Sequence, residues 1–326
     1  VGPTPRAIAI TPDDSQLIVS RFISGENQGE VWLVDSNAMQ LLSTIPLLKS
    51  NQPDTIVSGR GVPNYVSALA IDASGQLAYY AAKKDNTDKG LITGSIDLDD
   101  DNTVRAIVGV IDLATGQERY AQRVEMDNRD SPSALTLSSD AKYVFVSLQG
   151  NNEVLAVTRN AEGNLTTVTG FFAAGSAPQG LCMDASNDML YAKNFLSRDI
   201  SQIDVSQFLA DGTLNPPIQH FATVTEEALA ANVLAGKRIF YHAGDPRMSA
   251  EGYISCASCH IDGEHDGRTW DFTGRGEGLR NTTSLVGREG TRDGNVHWSG
   301  NFDEIQDFEH DIRNAFRGTG FLSDAQ

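Results

Sequence analysis

One short pattern recurs four times before residue 193, and it limits the kind of fold this chain can build. An apolar stretch enters a turn that carries Asp with Ser, Gly or Asn, and a second apolar stretch leaves it. The first copy runs Pro5-Arg6-Ala7-Ile8-Ala9-Ile10, through Asp13-Asp14, to Leu17-Ile18-Val19. The second runs Val66-Ser67-Ala68-Leu69-Ala70-Ile71, through Asp72-Ala73-Ser74-Gly75, to Leu77-Ala78-Tyr79-Tyr80. The third is Pro132-Ser133-Ala134-Leu135-Thr136-Leu137, Asp140 and Tyr143-Val144-Phe145-Val146. The fourth is Pro178-Gln179-Gly180-Leu181-Cys182-Met183, Asp184 and Met189-Leu190-Tyr191-Ala192. Each copy reads as one hairpin of a repeated unit that buries its faces only by stacking on its neighbours. Further strands follow, such as Glu30-Val31-Trp32-Leu33-Val34-Asp35 and Val108-Gly109-Val110-Ile111-Asp112, and four short antiparallel strands per unit make a propeller blade. Residues 1–222 are therefore expected to form an all-β propeller with at least four blades. Four are few for a closed ring, so further blades, before Val1 or on other subunits, are expected to complete it.

The third copy, Tyr143-Val144-Phe145-Val146-Ser147 followed by Asn151-Asn152-Glu153-Val154, resembles the repeats of the YVTN family of β-propellers. No histidine precedes His220, so the four units are expected to offer no imidazole to a metal. An acidic insertion spans residues 93–103 and contains Asp97-Leu98-Asp99-Asp100-Asp101-Asn102. Its oxygens suit calcium, yet an EF-hand register lacks its glycine at Asn102 and its glutamate at Val108, so a solvated acidic loop stands beside that reading. Cys182, within an apolar run, is expected to be buried.

Beyond Asn215-Pro216-Pro217 the pattern changes, and residues 223–326 are expected to form a mainly α domain. Thr225 is placed to cap a helix with Glu226 and Glu227 in its first turn and Leu229, Val233, Ile239 and Phe240 on its apolar positions. A last helix is expected from Asp303 to Phe316, with Ile305, Phe308, Ile312 and Phe316 on one face. Between them lies Cys256-Ala257-Ser258-Cys259-His260, the C-x-x-C-H attachment signature of one covalent haem c. Its two thiols add to the porphyrin and His260 becomes the proximal iron ligand. Zinc is the alternative for such a cluster, but the remaining cysteine, Cys182, is far upstream.

Covalent haem attachment ordinarily occurs outside the cytoplasm, so a periplasmic, cell-surface or secreted bacterial protein is expected. The first residues, Val1-Gly2-Pro3, show no basic or apolar leader, which the same expectation attributes to a processed or partial chain. A net charge of −18 excludes the basic surface that nucleic acid or an anionic membrane attracts. No apolar run approaches the ~20 residues of a membrane span. Arg275, Arg280, Arg288 and Arg292 are four cations of an otherwise acidic region, and one or two of them, Arg275 and Arg280 first, are expected to hold haem propionates.

Residues from roughly Gly236 to Gly320 resemble the first haem domain of the bacterial di-haem cytochrome c peroxidase and MauG family. The carrying residues are Gly236-Lys237-Arg238-Ile239-Phe240, the haem motif, Arg280-Asn281-Thr282-Thr283-Ser284-Leu285, and Val296-His297-Trp298-Ser299-Gly300 with Asp303-Glu304-Ile305-Gln306. The resemblance implies that His297 lies over the distal face of the iron, with His310 and then Met248 as other candidates. It implies an electron-relay role for Trp298 and acid/base roles for Gln306 and Glu309, although their spacing departs from the family by one residue. Two functions follow: electron transfer with a redox partner protein, or a share in a di-haem peroxidase or MauG-like enzyme. A structural or surface-assembly protein carrying haem is a third.

Overall fold

The computed structural model describes residues 1–322 apart from 56–57, 89–101, 274–275, 288–291 and 293. Each sequence repeat is the inner hairpin of an antiparallel sheet. The first blade is β1 (Pro5–Ile10), β2 (Gln16–Arg21), β3 (Gln28–Asp35) and β4 (Gln40–Leu48). The second is β5 (Val62–Ile71), β6 (Leu77–Asp85), β7 (Val104–Asp112) and β8 (Gln117–Glu118), with β9 (Val124–Met126) also paired to β7. The third is β10 (Pro132–Leu137), β11 (Tyr143–Leu148), β12 (Glu153–Arg159) and β13 (Leu165–Ala173). The fourth is β14 (Pro178–Asp184), β15 (Met189–Asn194), β16 (Asp199–Asp204) and β17 (Ile218–Ala222). The inner strands lie side by side in the order β1, β5, β10, β14.

The repeated aspartates set the turns. Asp13 Oδ1 accepts from the Thr11 hydroxyl (2.6 Å), the Ser15 hydroxyl (2.8 Å) and the Ser15 N–H (3.1 Å). Asp140 Oδ1 takes the Ser138 hydroxyl (2.7 Å) and the Lys142 N–H (3.1 Å), and Asp184 Oδ1 takes the Ser186 hydroxyl (2.6 Å) and N–H (3.0 Å). A side chain thus closes each turn by mimicking a backbone carbonyl. A second repeat feature shows only in the backbone: Thr4, Tyr65, Ser131 and Ala177, each just before the equivalent inner-strand residue, have φ of 52°, 48°, 50° and 54°. Left-handed backbone is uncommon at non-glycine residues, and its return at the same position of all four repeats marks a shared backbone feature at the start of each blade.

Between blades, alternate side chains interdigitate. Ile18, Val31, Ile45 and Tyr80 pack first against second; Tyr79, Val108, Val146 and Leu155 second against third; Phe145, Phe172, Leu190 and Phe208 third against fourth. The outward faces of the end blades are uncovered: Ile8 is 62% and Ile10 47% exposed on β1. For the same reason Cys182 on β14 is exposed, not buried as its apolar neighbours suggest, because only Leu181 and Met183 face the third blade. His220, for its part, lies within β17, so the fourth blade does carry one imidazole, bonded to Asp199 (3.2 Å).

After the blades the helices are short. α1 (Ser206–Asp211) belongs to the fourth blade; α2 (Ala231–Tyr241), α3 (Cys256–His260) and α4 (Glu309–Asn314) follow, with a hairpin of β18 (Thr269–Phe272) and β19 (Gly278–Asn281). The mainly α content expected of this stretch is not present among the described residues. α2 begins at Ala231 and not at Thr225, since Glu227 turns to pair with Arg198 (2.9 Å) and to accept from the Leu229 N–H (2.9 Å). The last helix is split into a 3₁₀ turn, Ile305–Phe308, and α4, and Ile305 is exposed. Tyr241, Ala257 and Ile261 share one apolar cluster with Phe22, Tyr65, Ala177 and Leu196 of the blades. No helix among the described residues is long and apolar enough to cross a membrane.

Candidate functional site

α3 is a single turn, so it needs partners at both ends. At its start the Ser258 hydroxyl accepts from the Ser255 N–H (2.8 Å), and Ser255 in turn reaches the buried Asp130 (3.3 Å). Burial pushes the Asp130 carboxyl up to about 6, against the pull of the Ser258 and Ser131 hydroxyls. At its end the carbonyls that no helical N–H can reach are taken by the second blade. Tyr65 donates its hydroxyl to the Cys259 carbonyl (2.8 Å), and Lys83 donates to the Ser258 carbonyl.

Lys83 is 1% exposed and pairs with Asp85 (2.9 Å) and Asp266 (3.7 Å). Arg268 completes the cluster through Asp85 (3.2 Å) and the Gly25 carbonyl (2.7 Å). Asn64 bridges Asp85 and the Asp266 carbonyl, each at 2.8 Å, and the Trp270 indole donates to Asp266 (3.0 Å). Tyr65 stacks on Phe22 at 4.6 Å, with the Lys83 ammonium over its ring. None of these residues was marked out by its sequence pattern. The available signal was Lys83-Lys84-Asp85 ending an otherwise apolar strand, which reads equally well as a solvated strand end.

α3 brings together Cys256, Cys259 and His260. Cys256 and Cys259 are three residues apart on the helix, hence on one face, and both are half-buried. Burial pushes the Cys256 thiol up to about 11, and burial with the Asp266 carboxylate pushes Cys259 well above the ordinary thiol. Thiolate ligation of zinc is disfavoured in such surroundings, whereas a thioether carries no charge and suits them. Burial lowers the His260 pKa, which keeps the ring neutral as a metal ligand requires, and its Nδ1 lies 3.2 Å from the Glu264 carbonyl. A ring nitrogen held by a backbone carbonyl is the usual second shell of a metal-bound histidine. The motif as folded therefore fits a covalent haem.

His297 lies apart from α3, at φ 71°, with Nδ1 against Glu277 (3.0 Å) and Asn301 (3.2 Å). Its ring stacks on Phe302 and meets Phe272 and Phe308 edge-on. Phe272 packs on the same cluster, built around Trp270 and Tyr253, that receives Cys259. Met248 is fully buried, and His310 is exposed beside Asn314 (3.1 Å). Trp298 is 49% exposed and donates to the Asn281 carbonyl. Gln306 is exposed; Glu309 is bound to Arg313 (2.7 Å) and to the N–H groups of Phe321 (3.1 Å) and Leu322 (3.2 Å), the bonding of a loop anchor. Arg280 lies directly across the hairpin from Trp270, whereas Arg275, Arg288 and the acidic stretch from Asp97 to Asp101 fall outside the described residues. Asn102 is buried and reaches the Thr55 carbonyl (3.2 Å).

Residues 101–222 match the family described as "Lactonase, 7-bladed beta-propeller", a match that ends before the Cys256–His260 helix. No curated protein matches the chain. Among solved structures, hydrazine synthase of Kuenenia stuttgartiensis is 14% identical, with a TM-score of 0.46 over 62% of this chain and 59% of that one. The periplasmic gluconolactonase of Pseudomonas aeruginosa is 16% identical, with a TM-score of 0.47 over 71% and 62%. A putative 6-phosphogluconolactonase of Bacteroides fragilis is 19% identical, with a TM-score of 0.44 over 67% and 55%. The chain thus spans less than two thirds of the length of these three structures.

Proposed function

We propose that this chain is a c-type cytochrome carried on a β-propeller, passing electrons to a partner protein outside the cytoplasm. The observation that supports it best is the folded C-x-x-C-H turn: two uncharged thiols on one helix face, followed by a neutral His260 braced at Nδ1. Haem bound there supplies a one-electron ferric/ferrous couple. Cys256 and Cys259 would anchor it, His260 would ligate the iron, and Arg280 would suit a propionate. His297, steadied by Glu277, is the candidate for a second ligand to the iron. The uncovered faces of the end blades suit further blades, in this protein or another subunit, as their occupants.

The reading is tested by the intact mass of the denatured full chain. One retained haem, lost in the Cys256→Ala, Cys259→Ala double variant, is expected; an unmodified mass in the unaltered protein overturns it. A low-spin ferric spectrum that turns high-spin in His297→Ala but not in His310→Ala would identify the second ligand.

A second reading, a share in a di-haem peroxidase, is favoured by one observation: Trp298 is half-exposed and leaves ring surface for another haem domain to cover. Against it, Glu309 is occupied as a loop anchor and Gln306 is exposed, so neither is held as an acid/base group. Sustained peroxide turnover with a small-protein donor would reverse the order of the two readings.

A further inference from the structure

The end of α3 is completed by side chains from far away in the chain. The Ser258 and Cys259 carbonyls take their donors from Lys83 and Tyr65, 175 and 194 residues distant. Lys83 is placed by strand geometry: successive side chains of β6 alternate between faces, so Lys84 leaves for Gly59 and Glu125 while Lys83 meets α3. Burying an ammonium is costly unless it is paired. Burial alone would depress the Lys83 pKa, but the ion pairs with Asp85 (2.9 Å) and Asp266 (3.7 Å) favour its charged form. Around it two cations, Lys83 and Arg268, face two carboxylates, Asp85 and Asp266, all but sealed from water. Among these four the charges balance, with the buried Asp130 also acting on Lys83 from the start of α3, and removing any member changes the local charge by one in a low-dielectric site next to the haem-attachment turn.

We infer that Lys83 is a positioning residue of the haem site: the second blade clamps the Cys256–His260 turn through it, and its buried positive charge raises the reduction potential of the iron. The inference rests on the haem reading above. A buried cation near the iron disfavours the ferric state, which carries one positive charge more than the ferrous, so loss of the cation must lower the potential. The propeller is then a working part of the redox centre and not only a support for it.

The test uses the full-length chain, with potentials measured by spectroelectrochemical titration. Lys83→Met is expected to shift the ferric/ferrous equilibrium at least tenfold toward ferric, about 59 mV for a one-electron couple. Asp85→Asn, which removes a negative charge from the same cluster, is expected to shift it the opposite way, and Lys83→Arg to restore the unaltered value. A merely structural cluster would not give shifts of opposite sign. If both variants leave the potential unchanged, or move it in one direction, the inference is overturned; should Lys83→Met not fold, the sign in Asp85→Asn decides alone. If the unaltered chain carries no haem, the proposed function falls, and the clamp is judged by hydrogen exchange. Faster exchange at residues 256–261 in Lys83→Met than in the unaltered chain upholds it, and equal exchange overturns it.

Discussion

In the blades a strand finds its partner nearby, Ile10 opposite Leu17 and Leu137 opposite Val144, whereas the carbonyls of α3 are capped from the other end of the chain. The two regions also differ in what they bury. Between the third and fourth blades the buried surface is apolar, Phe145, Phe172 and Phe208 meeting at ring distances of 5.1 to 6.3 Å. Under α3 an ionic, hydrogen-bonded cluster of Lys83, Asp85, Asp266 and Arg268, all but sealed from water, stands beside the apolar contacts of Ala257 and Ile261. Apolar burial is non-directional and tolerates repacking. A buried ionic cluster specifies one geometry, and losing one partner is costly. The comparison therefore assigns stability to the blades and position to the C-terminal stretch.

Four measurements would break or sharpen that contrast. The largest effect is expected from Phe172→Ala, which empties the core between the third and fourth blades and should lower global unfolding free energy by ~4 kcal/mol in denaturant titrations. A loss below ~1 kcal/mol would mean the blades do not share one core. Arg268→Met should cost ~3 kcal/mol by leaving the carboxylates under-compensated. Here the loss should be local, seen as earlier proteolytic release of residues beyond 223 while the blades stay resistant; simultaneous cleavage of both regions would erase the distinction.

Next comes Asp130, which gives the junction a pH dependence. Its folded pKa is raised to about 6 from an unfolded value near ~3.9, so between those values the folded state holds a proton the unfolded state has released. Its contribution to stability is full below pH ~4, falls as pH rises through 6 and then levels, on the order of 3 kcal/mol in all. Asp130→Asn should flatten that segment of the stability profile, and an unchanged profile would acquit Asp130. The smallest effect is expected from Arg198→Ala. Its pairing with Glu227 lies at the surface, so a change within ~0.5 kcal/mol is expected, and a larger one would show that the 223–230 connection is structurally coupled to the fourth blade.

Much of the first region was legible before any coordinates. Alternating apolar residues and turn aspartates such as Asp13, Asp140 and Asp184 act within a few residues, and strands, turns and blade count followed from them. Legibility failed wherever a distant neighbour decides. Cys182 sits in an apolar run, yet no further blade covers its face among the described residues. Thr225 and Glu227 form a sound capping pattern, but Arg198 draws the glutamate away. In the C-terminal stretch the C-x-x-C-H spacing was plain, while the placing of His297 against Glu277 and Phe302 was not, because contacts between loops leave no period to read.

The residue order alone determined the strand pairs, the Asx turns and the one-turn spacing that aligns Cys256 with Cys259, because each depends on backbone geometry over a few residues. It was silent on Lys83: a lysine ending a strand is most often solvated, and only the docking of α3 on β6 turns it inward. That choice belongs to the tertiary structure, for physical reasons. The free energy of burying a charge depends on partners such as Asp85 and Asp266, whose distance is set by the closed fold and not by the local chain.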